Sequence, residues 1–578
     1  MDNLKNILFI TITIMLAVVI EAMTINSAEE VRDLNRPFNS LKLNDYDSRI
    51  SLSKAIFIQD TKDGLAKLLI EDANRTFKYI SNRDFIQKIY SRVEYTPLWF
   101  TQNGIKSRLV EELFNVIESD PILDRRGNIY RRLKYLKKSV DRNLSMEEIL
   151  KTDIMITSLY KSYLNFHVFG SIKWWSFQNY LRRLRESKIS ASWVTYNPKF
   201  DIADLILTYR PKEVIEITTP KTFGYREMLN ELKRLKDVKA KGGFIKIPNS
   251  SQLRYGKSGK IVAKLKKRLI ESGDYRCSHS EGDKYGGCLR EAVKRFQKRH
   301  GLYPSGKING YTIKKLNISI DWKIKKLLLN LDRIKRLPRA MESRYIMVNI
   351  PSFRLYYFKN FKEELSMRVI VGDKKHHTPI FSNRVSFIVL NPYWIIPDSI
   401  VQKEIIPKML KNPKYLEEKG YEVRLSYNLN TPPIDVSKVD WEKVLKYKQT
   451  KKYKFVQPPG PKNALGKIKF KFPNQFSVYL HDTSDKKLFK KAQRAFSHGC
   501  IRVSEPDRLL YTFTQYENSI TYNRCQTILN SKSKTQINLE NSVPIHIVYL
   551  TAWVDSKGLL HYFNDIYNYD KHQKRAIQ

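Results

Sequence analysis

The hydrophobic period of this chain changes once, at Arg344, and that change limits the fold more than any other feature. Before it, apolar residues recur at helical spacing. After it they alternate, which is the mark of half-buried strands. A single helical bundle and a single β domain are both excluded, and 578 residues leave room for three or four domains. The expected class is multidomain α+β.

Residues 29–250 read as a mostly helical scaffold domain. Residues 81–84 are expected to cap a helix through Phe85, Ile89 and Tyr90, residues 95–100 break it, and Leu109, Leu113 and Val116 resume the stripe. A longer helix is expected over 146–167 and a short charged one over 227–235. Trp174 and Trp175 read as core, with an exposed binding pair as the alternative, and no constellation of catalytic type occurs here. Residues 251–318 form a compact unit of three short helices, with stripes at Val262, Leu265 and Leu269, at Leu289, Val293 and Phe296, and at Ile313 and Leu316. A basic amphipathic linker helix within 319–340 leads to the alternating region. There, residues 345–350, 353–358, 364–371, 385–390, 468–472, 476–481 and 545–553 are expected strands of a domain spanning 341–556, followed by a tail over 557–578. Within that domain, 398–458 lacks strand character and reads as a capping insertion with helices near 399–410 and 441–447.

Charge and cysteine usage bear on location and partners. Lys and Arg number 104 against 58 Asp and Glu, a net +46. Either an acidic partner or a dispersed compositional bias accounts for that, and no zinc-finger or RNP1 motif suggests nucleic acid. Lys5 precedes an apolar run over 7–20, and Ser27 and Ala28 offer a cleavage point, so residues 1–28 are expected to direct export, with an uncleaved membrane anchor as the alternative. Of four cysteines, Cys277 and Cys288 are either a local disulfide or two free thiols. No Cys-x-x-Cys spacing suggests a metal, and no cofactor is expected.

The chemistry-bearing stretch is 476–503. His481 ends an alternating run, and nineteen residues later Cys500 lies in Ser497-His498-Gly499-Cys500. A thiol needs deprotonation to attack a carbonyl, and a neighbouring imidazole is the usual means. Cys500 is the candidate nucleophile and His481 the candidate base, on the strand face it shares with Tyr479. The Asp482 carbonyl is expected to orient the other ring nitrogen, and backbone N–H groups around Gly499 and Cys500 are candidate oxyanion donors. Ser504 is expected to cap a helix, placing Cys500 in the loop just ahead of its N-terminus.

Two sets of residues resemble known families. Ala292-Val293-Lys294-Arg295-Phe296-Gln297, Gly301-Leu302 and Gly306-Lys307-Ile308-Asn309-Gly310-Tyr311-Thr312 resemble the peptidoglycan-binding domain family. His481 followed by Ser497-His498-Gly499-Cys500-Ile501-Arg502 resembles the L,D-transpeptidase (YkuD) signature, and the domain order resembles the large YcbB-type members. Further matching stretches are Val348-Asn349-Ile350-Pro351, Met367-Arg368-Val369-Ile370-Val371-Gly372, Asn391-Pro392-Tyr393-Trp394 and Tyr549-Leu550-Thr551-Ala552-Trp553-Val554. The resemblance implies that Cys500 attacks a tetrapeptide stem of peptidoglycan and passes the acyl group to a neighbouring stem amine, giving a 3→3 cross-link in the periplasm or cell envelope. Other cell-wall enzymes would supply the tetrapeptide donors. Ser497, His498, Arg502, Tyr479 and Trp394 become candidate substrate contacts. Hydrolysis of the same acyl-enzyme, or peptidoglycan binding without catalysis, are the alternatives that the motif leaves open.

Overall fold

The computed structural model describes residues 52–576 except 79, 279–281 and 340, so the expected export segment lies outside the described residues. The chain divides into two compact units. One holds residues up to 168 together with 199–219, the other residues 169–198 with 220 onward. Among the described residues no helix is long and apolar enough to cross a membrane.

The first unit is helical, with Arg83–Arg92, Ser107–Ser119, α1 (Asn128–Ser139) and α2 (Met146–Phe169) as its main elements. The break over 95–100 has a physical cause. Asp153 on α2 is fully buried, and its carboxylate accepts from the Leu98 N–H (3.1 Å), the Trp99 N–H (2.7 Å) and the Tyr90 hydroxyl. Burial pushes Asp153 up to about 6, and the backbone donors act against that shift. A carboxylate that gathers two adjacent N–H groups takes them from any helical ladder.

In the second unit, α3 (Lys260–Glu271), α4 (Gly287–Arg299) and α5 (Gly310–Leu316) bury Val262, Leu265, Leu269, Leu289, Val293 and Phe296 in a core of their own. Cys277 and Cys288 are disulfide-bonded with their Cα atoms 5.9 Å apart. Gln297 explains the turn that follows: its side chain accepts from Gly306 N at 2.9 Å and donates to Lys307 O at 2.8 Å. Helix α6 (Ile320–Ile334) then joins this module to the β domain. Its Asn330 accepts from Thr551 N at 2.8 Å, and its Arg333 donates to Tyr549 O at 3.2 Å. Trp174 packs against the β-domain core as expected, whereas Trp175 is exposed.

The β domain is built from β1 (Arg344–Asn349), β2 (Arg354–Lys359), β3 (Lys362–Gly372), β4 (Phe381–Leu390), β5 (Ile468–Lys471), β6 (Leu480–His481), β7 (Ala495–Ser497), β8 (Ile501–Val503) and β9 (Thr535–Val548). Their order is β7-β3-β8-β6-β5-β4-β9-β1-β2, and β2 also pairs with β3, which closes the sheet into a ring. Most pairs are antiparallel, but β6–β8, β7–β3 and β9–β1 are parallel. Val348, Leu355, Val369, Val371, Ile388, Phe470, Leu480 and Ile501 fill the interior, and α7 (Pro506–Thr514) adds Leu509, Leu510 and Phe513. The overall class is the expected one: a helical half, a three-helix module and a β-rich domain.

Four local expectations need correction. The strand expected over 476–481 reduces to two residues, because Asn474 Oδ1 accepts from Phe476 N and Val478 N and Ser477 takes a left-handed φ of 54°. Ser504 is not the helix cap. Its hydroxyl accepts from Arg368 N at 3.1 Å, and α7 begins at Pro506. The β8 strand therefore separates Cys500 from α7, outside the reach of the helix dipole. Finally, 398–458 is not free of strands: Glu422–Arg424 and Lys454–Gln457 pair with each other, and the latter also pairs with Trp394–Ile395, beside short helices including Ile406–Lys411 and Trp441–Lys446.

Candidate active site

The β6 strand sets the site. His481 pairs with Lys469 on antiparallel β5 and with Arg502 on parallel β8, so the imidazole rises from a strand between two cationic neighbours. Its Nδ1–H donates to the carbonyl of Asp482, as expected from the order of residues, and the carbonyl can only accept. The proton is thereby placed on Nδ1, and Nε2 keeps its lone pair. The ring is buried, and that burial, reinforced by Arg502, Lys469 and Lys486, lowers its pKa to about 3. It is a neutral imidazole at any ordinary pH.

Cys500 follows a glycine that cannot be replaced freely. Gly499 has a φ of 108°, in the region that favours residues without a Cβ, and its carbonyl accepts from Thr378 Oγ1 at 2.8 Å. Ser497 braces the same turn: its hydroxyl donates to Cys500 O and accepts from Gly499 N at 3.3 Å. The Gly499 N–H is thus engaged within the turn, while the Cys500 N–H has no hydrogen-bond partner among the described residues. The half-buried thiol points to Ser477 O at 3.8 Å. Burial raises its pKa above the usual thiol value, opposed by hydrogen bonds to Tyr479 and by the charges of Lys469 and Arg502.

Tyr479 lies edge-on to His481, with ring centroids 5.5 Å apart, and Lys469 Nζ sits 3.6 Å from the Tyr479 ring centroid. Burial of that ammonium, reinforced by the neighbouring Lys471, lowers its pKa to about 8. Arg502 is half-buried, and its Nε has no hydrogen-bond partner among the described residues. Asp482 also anchors the strand: its carboxylate accepts from Lys467 N at 2.9 Å and pairs with Lys486. A side chain at neighbouring Gly466, itself at a φ of 60°, would collide with that carboxylate.

His498 turns away from the thiol–imidazole pair. Its Nε2 meets Glu404 Oε1 at 2.8 Å, and its ring lies 4.3 Å from that of His376, whose Nδ1 is 3.1 Å from Asp373 Oδ1. Glu404 belongs to the 398–458 segment, so this contact ties that segment to the Cys500 loop. Trp394 lies elsewhere, packed on Tyr421 and the buried side chains of the cap. Of the candidate residues, the fold gathers His481, Asp482, Tyr479, Ser497, Gly499, Cys500 and Arg502, and leaves His498 and Trp394 on the cap side. Lys469, Glu404 and Thr378 escaped the sequence reading, because only strand register and the folding of distant segments bring them here.

Three segments of the chain match known families. Residues 343–517 match the L,D-transpeptidase catalytic domain (YkuD), 258–316 the "Putative peptidoglycan binding domain", and 84–232 the "Scaffold domain". A curated "Putative L,D-transpeptidase" of Haemophilus influenzae is 34% identical over 246 residues, which cover 43% of this chain and 48% of that protein. The chain thus spans about half the length of the curated relative it matches. A solved L,D-transpeptidase of Xylanimonas cellulosilytica is 14% identical with a TM-score of 0.16, covering 52% of this chain and 100% of that one. Another, from Stackebrandtia nassauensis, is 13% identical with a TM-score of 0.20, covering 52% and 97%. Those TM-scores establish no overall likeness. The chain carries a YkuD-type L,D-transpeptidase catalytic domain together with a peptidoglycan-binding domain, an order consistent with the large YcbB-type members of that family.

Proposed function

We propose that this protein is a peptidoglycan L,D-transpeptidase that forms 3→3 cross-links by cysteine acyl transfer, acting in the periplasm or cell envelope. The observation that carries the reading is the neutral, Nδ1-protonated His481 on the strand beside the Cys500 turn. In the first half-reaction, Sγ attacks the carbonyl between the third and fourth residues of a tetrapeptide stem while His481 Nε2 takes the thiol proton. The Cys500 N–H is the donor left over for the oxyanion, because Gly499 N–H already serves Ser497. Collapse breaks the C–N bond, and the leaving D-alanine amine takes the proton back from His481. In the second half-reaction the amine of a neighbouring stem attacks the thioester, loses a proton to His481, and releases Cys500 as the thiol.

Because both groups rest neutral, attack and proton transfer are concerted demands on one geometry, with Lys469 and Arg502 stabilising the developing thiolate. Tyr479 and Arg502 flank the place where the acyl chain would lie, and the three-helix module over 251–318 would hold the enzyme on its polymer. The domain limits are proposed as 29–250, 251–318 and 341–556, with the cap at 398–458. Donor stems would come from other cell-wall enzymes that trim pentapeptides. The test is incubation with tetrapeptide-bearing muropeptides followed by mass analysis. Cross-linked dimers support the transpeptidase; tripeptides alone would replace it with hydrolysis, and unchanged substrate with binding alone.

A further inference from the structure

One cavity lies far from the thiol in sequence, in the helical first unit. It measures about 840 Å³, within the range that holds drug-sized or small peptide ligands. Its walls come from the 68–81 segment, from α1 and from α2, with an apolar floor of Leu68, Leu136 and Met155.

Arg132 is the unusual group in its wall. The guanidinium is half-buried, and three of its N–H groups donate to serine hydroxyls: Ser158 at 2.9 Å, Ser162 at 3.2 Å and Ser81 at 3.3 Å. Two of those hydroxyls are committed as donors to backbone carbonyls, Ser158 to Ser81 O and Ser162 to Ser158 O, each at 2.8 Å. Arg132 is therefore held in place by neutral acceptors, and no carboxylate pairs with it among the described residues. Burial lowers its pKa with no acidic neighbour to oppose the shift. A cation withdrawn from water is ordinarily matched by an anion, and this one keeps donors to spare. A second polar group in the wall is also unsatisfied: Thr76 is 7% exposed, and its hydroxyl has no hydrogen-bond partner among the described residues.

The rest of the lining narrows the anion. Asp72 and Glu147 share the wall with Arg132 and with Arg75, Arg131 and Lys151, and Glu147 already pairs with Lys151. A lining of both signs suits a molecule that bears a carboxylate and an amine, with the cationic excess making the carboxylate its stronger anchor. We propose that this cavity is a non-catalytic site for a short zwitterionic peptide, which seats a carboxylate on Arg132 and turns its amine toward Asp72. The likeness of that ligand class to peptidoglycan stems rests on the function proposed above; the site itself does not.

The test uses the full chain with Cys500→Ala, so that bound peptide is not turned over, and titrates it calorimetrically with the free tetrapeptide stem. Two classes of site are expected. Adding Arg132→Gln should weaken one of them by about ten- to a hundredfold, the effect of losing a charged hydrogen-bond pair, while Arg132→Lys retains most of the affinity. Asp72→Asn, which leaves the buried guanidinium intact, should weaken the same site, so a folding defect of Arg132→Gln cannot pass for the result. One class of site unaffected by either change overturns the proposal, as does binding of inorganic phosphate or peptide-free glycan in place of the peptide. Cross-linking by Arg132→Gln with Cys500 intact is measured separately. Dimers without an Arg132-dependent site sink only this inference, and an Arg132-dependent site without dimers sinks only the transpeptidase.

Discussion

Lys469 is the cross-strand partner of His481, and its ammonium lies over the ring of Tyr479, the residue that hydrogen-bonds Cys500. One cation thus acts on both halves of the proposed reactive pair, opposing the rise of the thiol and adding to the fall of the imidazole. Lys469→Met should raise the pKa of both groups. The rate of iodoacetamide alkylation of Cys500 near pH 8 would fall, and its rise with pH would move upward. An unchanged alkylation profile would remove Lys469 from the site.

The neutral pair has its own kinetic signature. With His481 lowered to about 3, acylation by a tetrapeptide donor should hold level from neutral pH down to about 4, then fall as the ring takes a proton. His481→Gln should cost about 10²–10⁴ in acylation rate, and Cys500→Ala should abolish it. Stopped-flow acylation across pH measures both. A midpoint near 6.5 would mean the base is a solvated imidazole instead.

Gly499→Ala isolates backbone strain from space. A Cβ there would meet only His377 O, at 3.8 Å, so the penalty comes from the φ of 108°, on the order of 1–3 kcal/mol. We expect a folded protein with a modestly lowered melting temperature and a large loss of turnover, because relief of that strain would turn the Cys500 N–H and thiol together. Thermal melts and muropeptide assays on one preparation separate the two effects.

The Glu404–His498 contact predicts that the cap and the nucleophile loop report on one another. The pair is partly exposed and so contributes only about 0.2–1 kcal/mol. Glu404→Ala should leave the melting temperature nearly unchanged while speeding hydrogen exchange in 398–411. Equal exchange in both proteins would show that the cap is held by its own core alone.

Acid should loosen the β domain before it titrates the carboxylates. His377 and His546 are buried and lowered to about 4, and His481 to about 3. Each is neutral when folded but protonates below about 6.5 when unfolded, so the unfolded chain binds more protons as pH falls. The stability they contribute is full above about 6.5 and drains away toward pH 3–4. Denaturant midpoints should drop over that window, and less steeply in His546→Gln.

The two periods of the sequence were enough to separate helical and β regions, because amphipathic burial acts residue by residue along the chain. The nearness of the Cys500 turn to the His481 strand, and the Asp482 carbonyl on the imidazole, were legible for a similar reason, since these relations are carried by a short motif and by adjacent residues. What escaped depended on tertiary choices. Asn474 closes a turn that truncates the 476–481 strand, Arg368 takes the hydroxyl of Ser504, and the register of β5 against β6 brings Lys469 to His481. The strands within 398–458 escaped because they are only three and four residues long, too brief for a period to show.

The parallel pairing of Leu480 with Ile501 gives the spacing between His481 and Cys500 a topological meaning. Two neighbouring parallel strands cannot be joined by a tight turn, so the chain must travel out and return before Cys500 can arrive beside His481. The segment between them is a tether with a minimum length and no evident maximum. Residues added near 484–488, on the exposed outward leg, should be absorbed as slack, whereas a single residue gained or lost between Ser497 and Ile501 would carry the thiol to the opposite side of the strand and leave the base facing nothing.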